Sequence, residues 1–176
     1  MTPSGNTTRP TADRVKEALF SILQSSGVLT GSRILDLFAG SGSLGIEALS
    51  RGALHATLVD KSRPAIESQH KNLLHTSLVD QATVLCLDVF SAIDQLIRQK
   101  ATFSLILLDP PYGQGLQGKV LERIHPLLAS SAALVVAETA TREPLPVQVG
   151  QCNRIDRRVY GDTALEFFAL EGNNAP

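Results

Sequence analysis

Ile34-Leu35-Asp36-Leu37-Phe38-Ala39-Gly40-Ser41-Gly42-Ser43-Leu44-Gly45 is an apolar run that stops at a glycine-rich turn, after which a helical pattern begins. The pattern predicts a strand, a tight loop and a helix start. Glycine at 40 and 42 lets the backbone adopt positive φ and approach a bound molecule, and the unpaired N–H groups of the following helix point to the same place. Gly40-x-Gly42-x-x-Gly45 also satisfies the dinucleotide fingerprint, with Asp60 twenty residues beyond Gly40 at the end of the next apolar run. Two ligands therefore fit the stretch: a nicotinamide or flavin dinucleotide, and S-adenosylmethionine.

Outward from this loop the chain alternates strand and helix. Residues 33–38 form the first predicted strand. Ala56–Asp60, 82–87, Phe103–Asp109 and Ala132–Glu138 are further apolar runs, separated by segments with helical spacing. The run at 103–109 is apolar on both faces and reads as a central strand of a parallel sheet. Upstream, Val15, Ala18, Leu19, Ile22 and Leu23 define one helical face, with Thr11 as its expected cap and residues 1–10 as an extended arm. Residues 139–150 read as a Pro-containing connection. Asn153–Tyr160 and Thr163–Leu170 are joined only by Gly161-Asp162, which predicts a β-hairpin. A single domain over 11–171 follows, α/β with a doubly wound, Rossmann-like sheet, and a frayed tail at 172–176.

Composition agrees with one core: 176 residues, 43% hydrophobic and 19% charged. No apolar run is long enough to span a bilayer, and the first residues have neither a basic n-region nor an apolar h-region, so a soluble cytoplasmic protein is expected. Cys86 and Cys152 lack partners at metal spacing and are expected as reduced thiols, with no metal site. A formal net charge of −1 lends no support to nucleic-acid binding, which must rest on a local patch.

Ligands on doubly wound sheets bind beyond the carboxyl ends of the strands. Asp36, Asp60, Asp88 and Asp109 all fall at such ends. Each alone could be a helix cap; four at one crevice suggest a cationic, polyhydroxylated ligand. Asp36 would oppose a pyrophosphate, whereas it suits the α-amino group and sulfonium of S-adenosylmethionine. Asp60 would then accept from ribose hydroxyls and Asp88 from the adenine amine. The expected cofactor pocket comprises Asp36, Phe38, Ala39, Gly40, Ser41 and Gly42 on the first loop, with Asp60, Lys61, Asp88, Val89 and Asp109 on the others.

Asp109-Pro110-Pro111-Tyr112 adds the chemistry. Consecutive prolines fix φ and remove donors, so the turn presents a carboxylate and carbonyl oxygens rigidly beside an aromatic ring. A nucleobase with an exocyclic amine fits: its hydrogens go to Asp109 and the Pro110 carbonyl, and Tyr112 stacks on the ring. Catalysis by orientation and electrostatics follows, without a covalent enzyme intermediate or metal.

Taken together, Arg9-Pro10-Thr11-Ala12-Asp13-Arg14-Val15-Lys16-Glu17-Ala18-Leu19-Phe20, the segment Leu35–Gly42 continued by Leu44–Ala53, and Asp109-Pro110-Pro111-Tyr112 resemble the RsmD family. Its members are class I methyltransferases that act on the N2 amine of a guanine in small-subunit (16S) ribosomal RNA. The resemblance extends from Arg9 to Leu170. It implies a seven-stranded sheet whose last strand is antiparallel, and methyl transfer from S-adenosylmethionine, leaving S-adenosylhomocysteine. It also implies a guanine held by residues 109–112, and RNA contacts from Arg9, Thr11 and Arg14. The implied partner is rRNA within an assembling small subunit, met by a monomer.

Family members usually begin with a further basic hairpin, and Met1–Thr8 look like the linker that follows it. Remaining basic candidates are Lys16, Arg154, Arg157 and Arg158. Three other functions share these features: another DNA or RNA amino-methyltransferase, a cofactor-binding ribosome-assembly module without turnover, and, more remotely, an NAD-dependent dehydrogenase.

Overall fold

The computed structural model describes residues 8–111 and 113–171, with side chains from residue 12 onward. Helix α1 spans Thr8–Ser25, and the alternating units follow: β1 (Arg33–Asp36), α2 (Ser43–Ser50), β2 (His55–Asp60), α3 (Arg63–His75), β3 (Ala82–Cys86), α4 (Val89–Arg98), β4 (Leu105–Leu108), α5 (Leu116–Leu121) and β5 (Leu134–Ala140). The chain closes with β6 (Gln148–Val149), β7 (Cys152–Tyr160) and β8 (Thr163–Leu170).

All eight strands share one sheet in the order β3-β2-β1-β4-β5-β8-β7-β6. Strands β1 to β5 pair in parallel, while β8, β7 and β6 are antiparallel to their neighbours. The doubly wound fold and the hairpin at Gly161-Asp162 agree with the sequence reading. The sheet has eight strands rather than seven, because Gln148–Val149 in the Pro-containing connection pairs with Asn153 and Cys152 as a two-residue edge strand. So short a strand has no period to read.

The N-terminal arm also ends earlier than expected. The helix begins at Thr8, so residues 8–10 belong to α1 and Thr11 lies inside it, not at its cap. Pro10 is compatible with this because first-turn N–H groups need no intrahelical partner. The rest of the arm and the tail at 172–176 lie outside the described residues.

Strand β4 is buried along its whole length between β1 and β5, as its Leu-Ile-Leu-Leu sequence requires. On one sheet face α1, α2 and α3 bury Phe20, Leu23, Ile46 and Leu73 against Ile34, Leu58, Leu105 and Phe167. On the other face α4 and α5 bury Ile93, Leu96, Val120 and Leu121 against Leu35, Val59, Ile106 and Phe168. Between β4 and β5 the helical spacing yields only the short α5, followed by a 3₁₀ turn at His125–Leu127, which Pro126 opens. Cys86 is exposed and Cys152 buried, both as free thiols.

Buried Glu166 on β8 organises the far edge. Its carboxylate accepts from Arg154 Nη1 (2.6 Å), Thr139 Oγ1 (2.9 Å) and the Leu145 N–H (3.0 Å), with Arg157 Nε 3.7 Å away. Arg158 pairs instead with Asp156 at 2.8 Å. The three hairpin arginines thus all face carboxylates within the fold, Glu166 being shared by two of them, and Arg154 and Arg157 tie the 139–150 connection to the hairpin.

Candidate active site

The sheet order reverses between β1 and β4, and a cleft opens at the carboxyl ends of the strands there. Its volume is about 1330 Å³. Phe38, Gly40, Asp60, Lys61, Asp88, Val89, Asp109, Pro110 and Pro111 all line it, so the four loops singled out from the sequence meet in one place. The walls add Ala12 and Val15 of α1, Leu87, Phe90, Gln114 and Leu116, then Glu138, Ala140 and the hairpin residues Gly161 to Thr163.

The glycine loop is held by three side chains, one at the end of β2 and two on α3. Gly40 and Gly42 have φ of +53° and +82°, conformations that L side chains rarely adopt. Asp60 Oδ2 accepts the Gly40 N–H at 3.0 Å while Oδ1 accepts the Ser62 N–H at 2.9 Å. From α3, Gln69 Nε2 donates to the Gly40 carbonyl and Asn72 Nδ2 to the Ser41 carbonyl, both at 2.9 Å. Gly45 serves a different purpose: a Cβ there would overlap Leu58 Cδ2, so its absence lets α2 lie directly on β2. Ala39 and Gly42 are buried behind the loop and Ser41 is exposed outside the cleft; these three support the loop rather than line it.

Asp36 is 1% exposed and lies behind the cleft, not on its wall. Neither of its oxygens completes a hydrogen bond, although the Phe38 and Gly45 N–H groups lie near enough to favour the anion. Burial first, then the charge of Asp109, pushes its pKa up to about 7. Asp109 is open to the cleft yet crowded by protein; desolvation and then neighbouring Glu138 push it up to about 7 as well. Solvent in the open cleft screens that effect, and a bound molecule would strengthen it. Asp88 behaves differently: it caps α4, with Oδ1 accepting from Phe90 N–H (3.1 Å) and Ser91 N–H (3.2 Å), and the Ser91 side chain first, then these backbone bonds, hold its carboxyl below the usual range.

Of the expected RNA contacts, Arg14 is exposed in a shallower depression beside the cleft, with Tyr160 and Gly161. The side chains of Arg9 and Thr11, and Tyr112 altogether, lie outside the described residues. Lys16 donates to Ser43 Oγ at 3.3 Å, joining α1 to the start of α2. The sequence reading missed Gln69, Asn72 and Glu138. Gln69 was legible in principle, since it interrupts the apolar stripe Ile66, Leu73 on α3 and is fully buried. Glu138 lies one strand from Asp109, a neighbourhood that only the sheet order reveals.

A doubly wound sheet ordered β3-β2-β1-β4-β5 and completed by an antiparallel hairpin, with a glycine loop facing an Asp-Pro-Pro turn across the switch point, defines a class I methyltransferase. The comparisons with known proteins are more particular. The family model described as conserved hypothetical protein 95 matches residues 1–169, and the chain belongs to that family, the RsmD family. YlbH of Bacillus subtilis is 36% identical over 170 residues, covering 96% of this chain and 91% of that protein. Ribosomal RNA small subunit methyltransferase D of Escherichia coli K12 is 34% identical over 169 residues, covering 93% and 80%. A solved conserved hypothetical protein of Streptococcus pyogenes has a TM-score of 0.75 at 35% identity, covering 83% of this chain and 90% of that one.

Proposed function

We propose that this chain transfers the methyl group of S-adenosylmethionine to the N2 amine of a guanine in small-subunit ribosomal RNA. The observation that carries the reading is the convergence of the Asp109-Pro110-Pro111 turn and the Asp60-anchored glycine loop on one cleft. The rRNA substrate comes from kinship with the Escherichia coli enzyme.

The residues fit this cofactor. Asp36 is a buried carboxylate without a completed hydrogen bond, and a cation brought to the cleft floor would supply its missing counter-charge. Asp60 keeps lone pairs beyond its two N–H bonds and can accept from ribose hydroxyls. Leu87, Val89 and Phe90 give an apolar wall for a purine, with Lys61 and Asp88 at its rim. The bound cofactor supplies an electrophilic methyl group on a sulfonium.

Asp109 and the Pro110 carbonyl accept the two hydrogens of the target amine, directing its lone pair toward the methyl carbon. As the new N–C bond forms the nitrogen becomes positive, and an ionised Asp109 stabilises that charge. A carboxyl group with pKa raised to about 7 is also suited to receiving the proton the amine must shed. Arg14, with Arg9 and Thr11, is assigned to the RNA strand leaving the cleft.

Incubating the chain with labelled S-adenosylmethionine and small subunits lacking its modification tests the reading. Label should enter the rRNA. A folded chain that binds the cofactor and labels no ribosomal RNA would overturn the substrate.

A further inference from the structure

We infer that Glu138 reads the target base, its carboxylate accepting the N1–H of a guanine whose amine is held by Asp109 and the Pro110 carbonyl. The inference rests on the proposed amino-methyltransferase reading of the cleft and extends it to base choice. An Asp-Pro-Pro turn recognises an amine, and adenine, cytosine and guanine all carry one. What separates them is the adjacent ring position: guanine presents N1–H, a third donor next to the amine, whereas adenine and cytosine present a lone pair.

Asp109, one residue past the end of β4, and Glu138, still within β5, lie side by side. Strands β4 and β5 are parallel neighbours with Leu108 opposite Ala137, and the next residue on each lines the cleft. The pleat fixes which way Glu138 faces. Thr139 points to the opposite side, where its hydroxyl donates to buried Glu166 at 2.9 Å, so Glu138 is held on the cleft side. Gln117 Nε2 further pins the Glu138 carbonyl at 3.0 Å.

The two carboxylates are close enough that Glu138 raises the proton affinity of Asp109. Adjacent acids repel, and a ligand edge made only of N–H donors relieves that repulsion. A base lone pair set against Glu138 would add to it. Selection for guanine therefore comes from an attractive contact and a repulsive one at the same atom.

The test compares wild type and Glu138→Gln on small subunits reassembled with guanine or 2-aminopurine at the methylated position. 2-Aminopurine keeps the amine but carries a lone pair at N1. Wild type should prefer guanine by about 100-fold in kcat/KM. Glu138→Gln, whose amide can donate to that lone pair, should lose about tenfold on guanine and narrow the preference to about tenfold or less, with cofactor affinity unchanged.

A variant that slows on both substrates equally would make Glu138 merely structural and overturn the inference. Should the variant not fold, equal wild-type rates on the two bases would overturn it just as well. Failure of wild type to methylate guanine at all would instead overturn the underlying reading of the cleft.

Discussion

Asp36→Asn should stabilise the protein without ligand while weakening its grip on the cofactor. Asp36 is 1% exposed, and burial with the Asp109 charge raises its pKa from 3.8 to about 7. Because the folded-state value lies above the unfolded one, both states are protonated below pH 3.8 and the group is then neutral to stability. Between 3.8 and 7 the folded state holds a proton that the unfolded state has released, so stability falls as pH rises. Above 7 the loss levels off. At about 1.4 kcal/mol per unit, linkage gives an upper bound of about 2 kcal/mol lost at pH 5 and about 4 kcal/mol at pH 8.

Asparagine has the same shape and no charge, so it removes this dependence. The size of the amide replacement itself is common to both pH values, which makes the difference between them the informative quantity. Urea unfolding of wild type and variant at pH 5 and pH 8 should show the variant gaining up to about 3 kcal/mol more at the higher pH. Calorimetric titration with S-adenosylmethionine should show weaker binding by the same variant. A variant equally affected at both pH values, or less stable than wild type at pH 8, would refute the reasoning about Asp36.

Three further outcomes are expected. Asp109→Ala should lower kcat by about 100-fold or more with little change in cofactor Kd, whereas Asp60→Ala, which frees the Gly40 N–H, should chiefly raise that Kd; titration and single-turnover rates separate the two. The pH profile of kcat/KM should rise through about 7 as Asp109 ionises, and the limb should move to lower pH in Glu138→Gln, where the neighbouring charge is gone. Glu166→Gln leaves Arg154 and Arg157 without their buried counter-charge and should cost about 3–5 kcal/mol in urea unfolding.

Periodicity and punctuation made most of the fold legible. Alternation of apolar runs with helical spacing located the parallel strands to within a few residues, and two residues at Gly161-Asp162 allowed only a hairpin. The strand-end rule then brought Asp60, Asp88 and Asp109 to one cleft. What each acid does there depends on contacts that sequence spacing does not carry. Asp88 spends one oxygen on capping α4, Asp60, expected to take ribose hydroxyls, also anchors the glycine loop, and Asp36 is sealed behind the wall.

The hairpin arginines show the same limit. Arg154 and Arg157 read as basic candidates because their partner, Glu166, is on another strand and belongs to the buried face. Likewise, Gln69 and Glu138 gain their roles from sheet order and helix packing, through neighbours far away in sequence. Local chemistry identified the loops; long-range pairing decides which side chains they present.

The most direct test of the account is nucleoside analysis of small-subunit rRNA labelled by this chain. Digestion and mass spectrometry should place the methyl group on N2 of a single guanosine, with the label abolished in Asp109→Ala. Label on the N6 amine of adenosine, on a ring nitrogen or on ribose would contradict the assignment of the Asp109-Pro110 turn to a guanine amine.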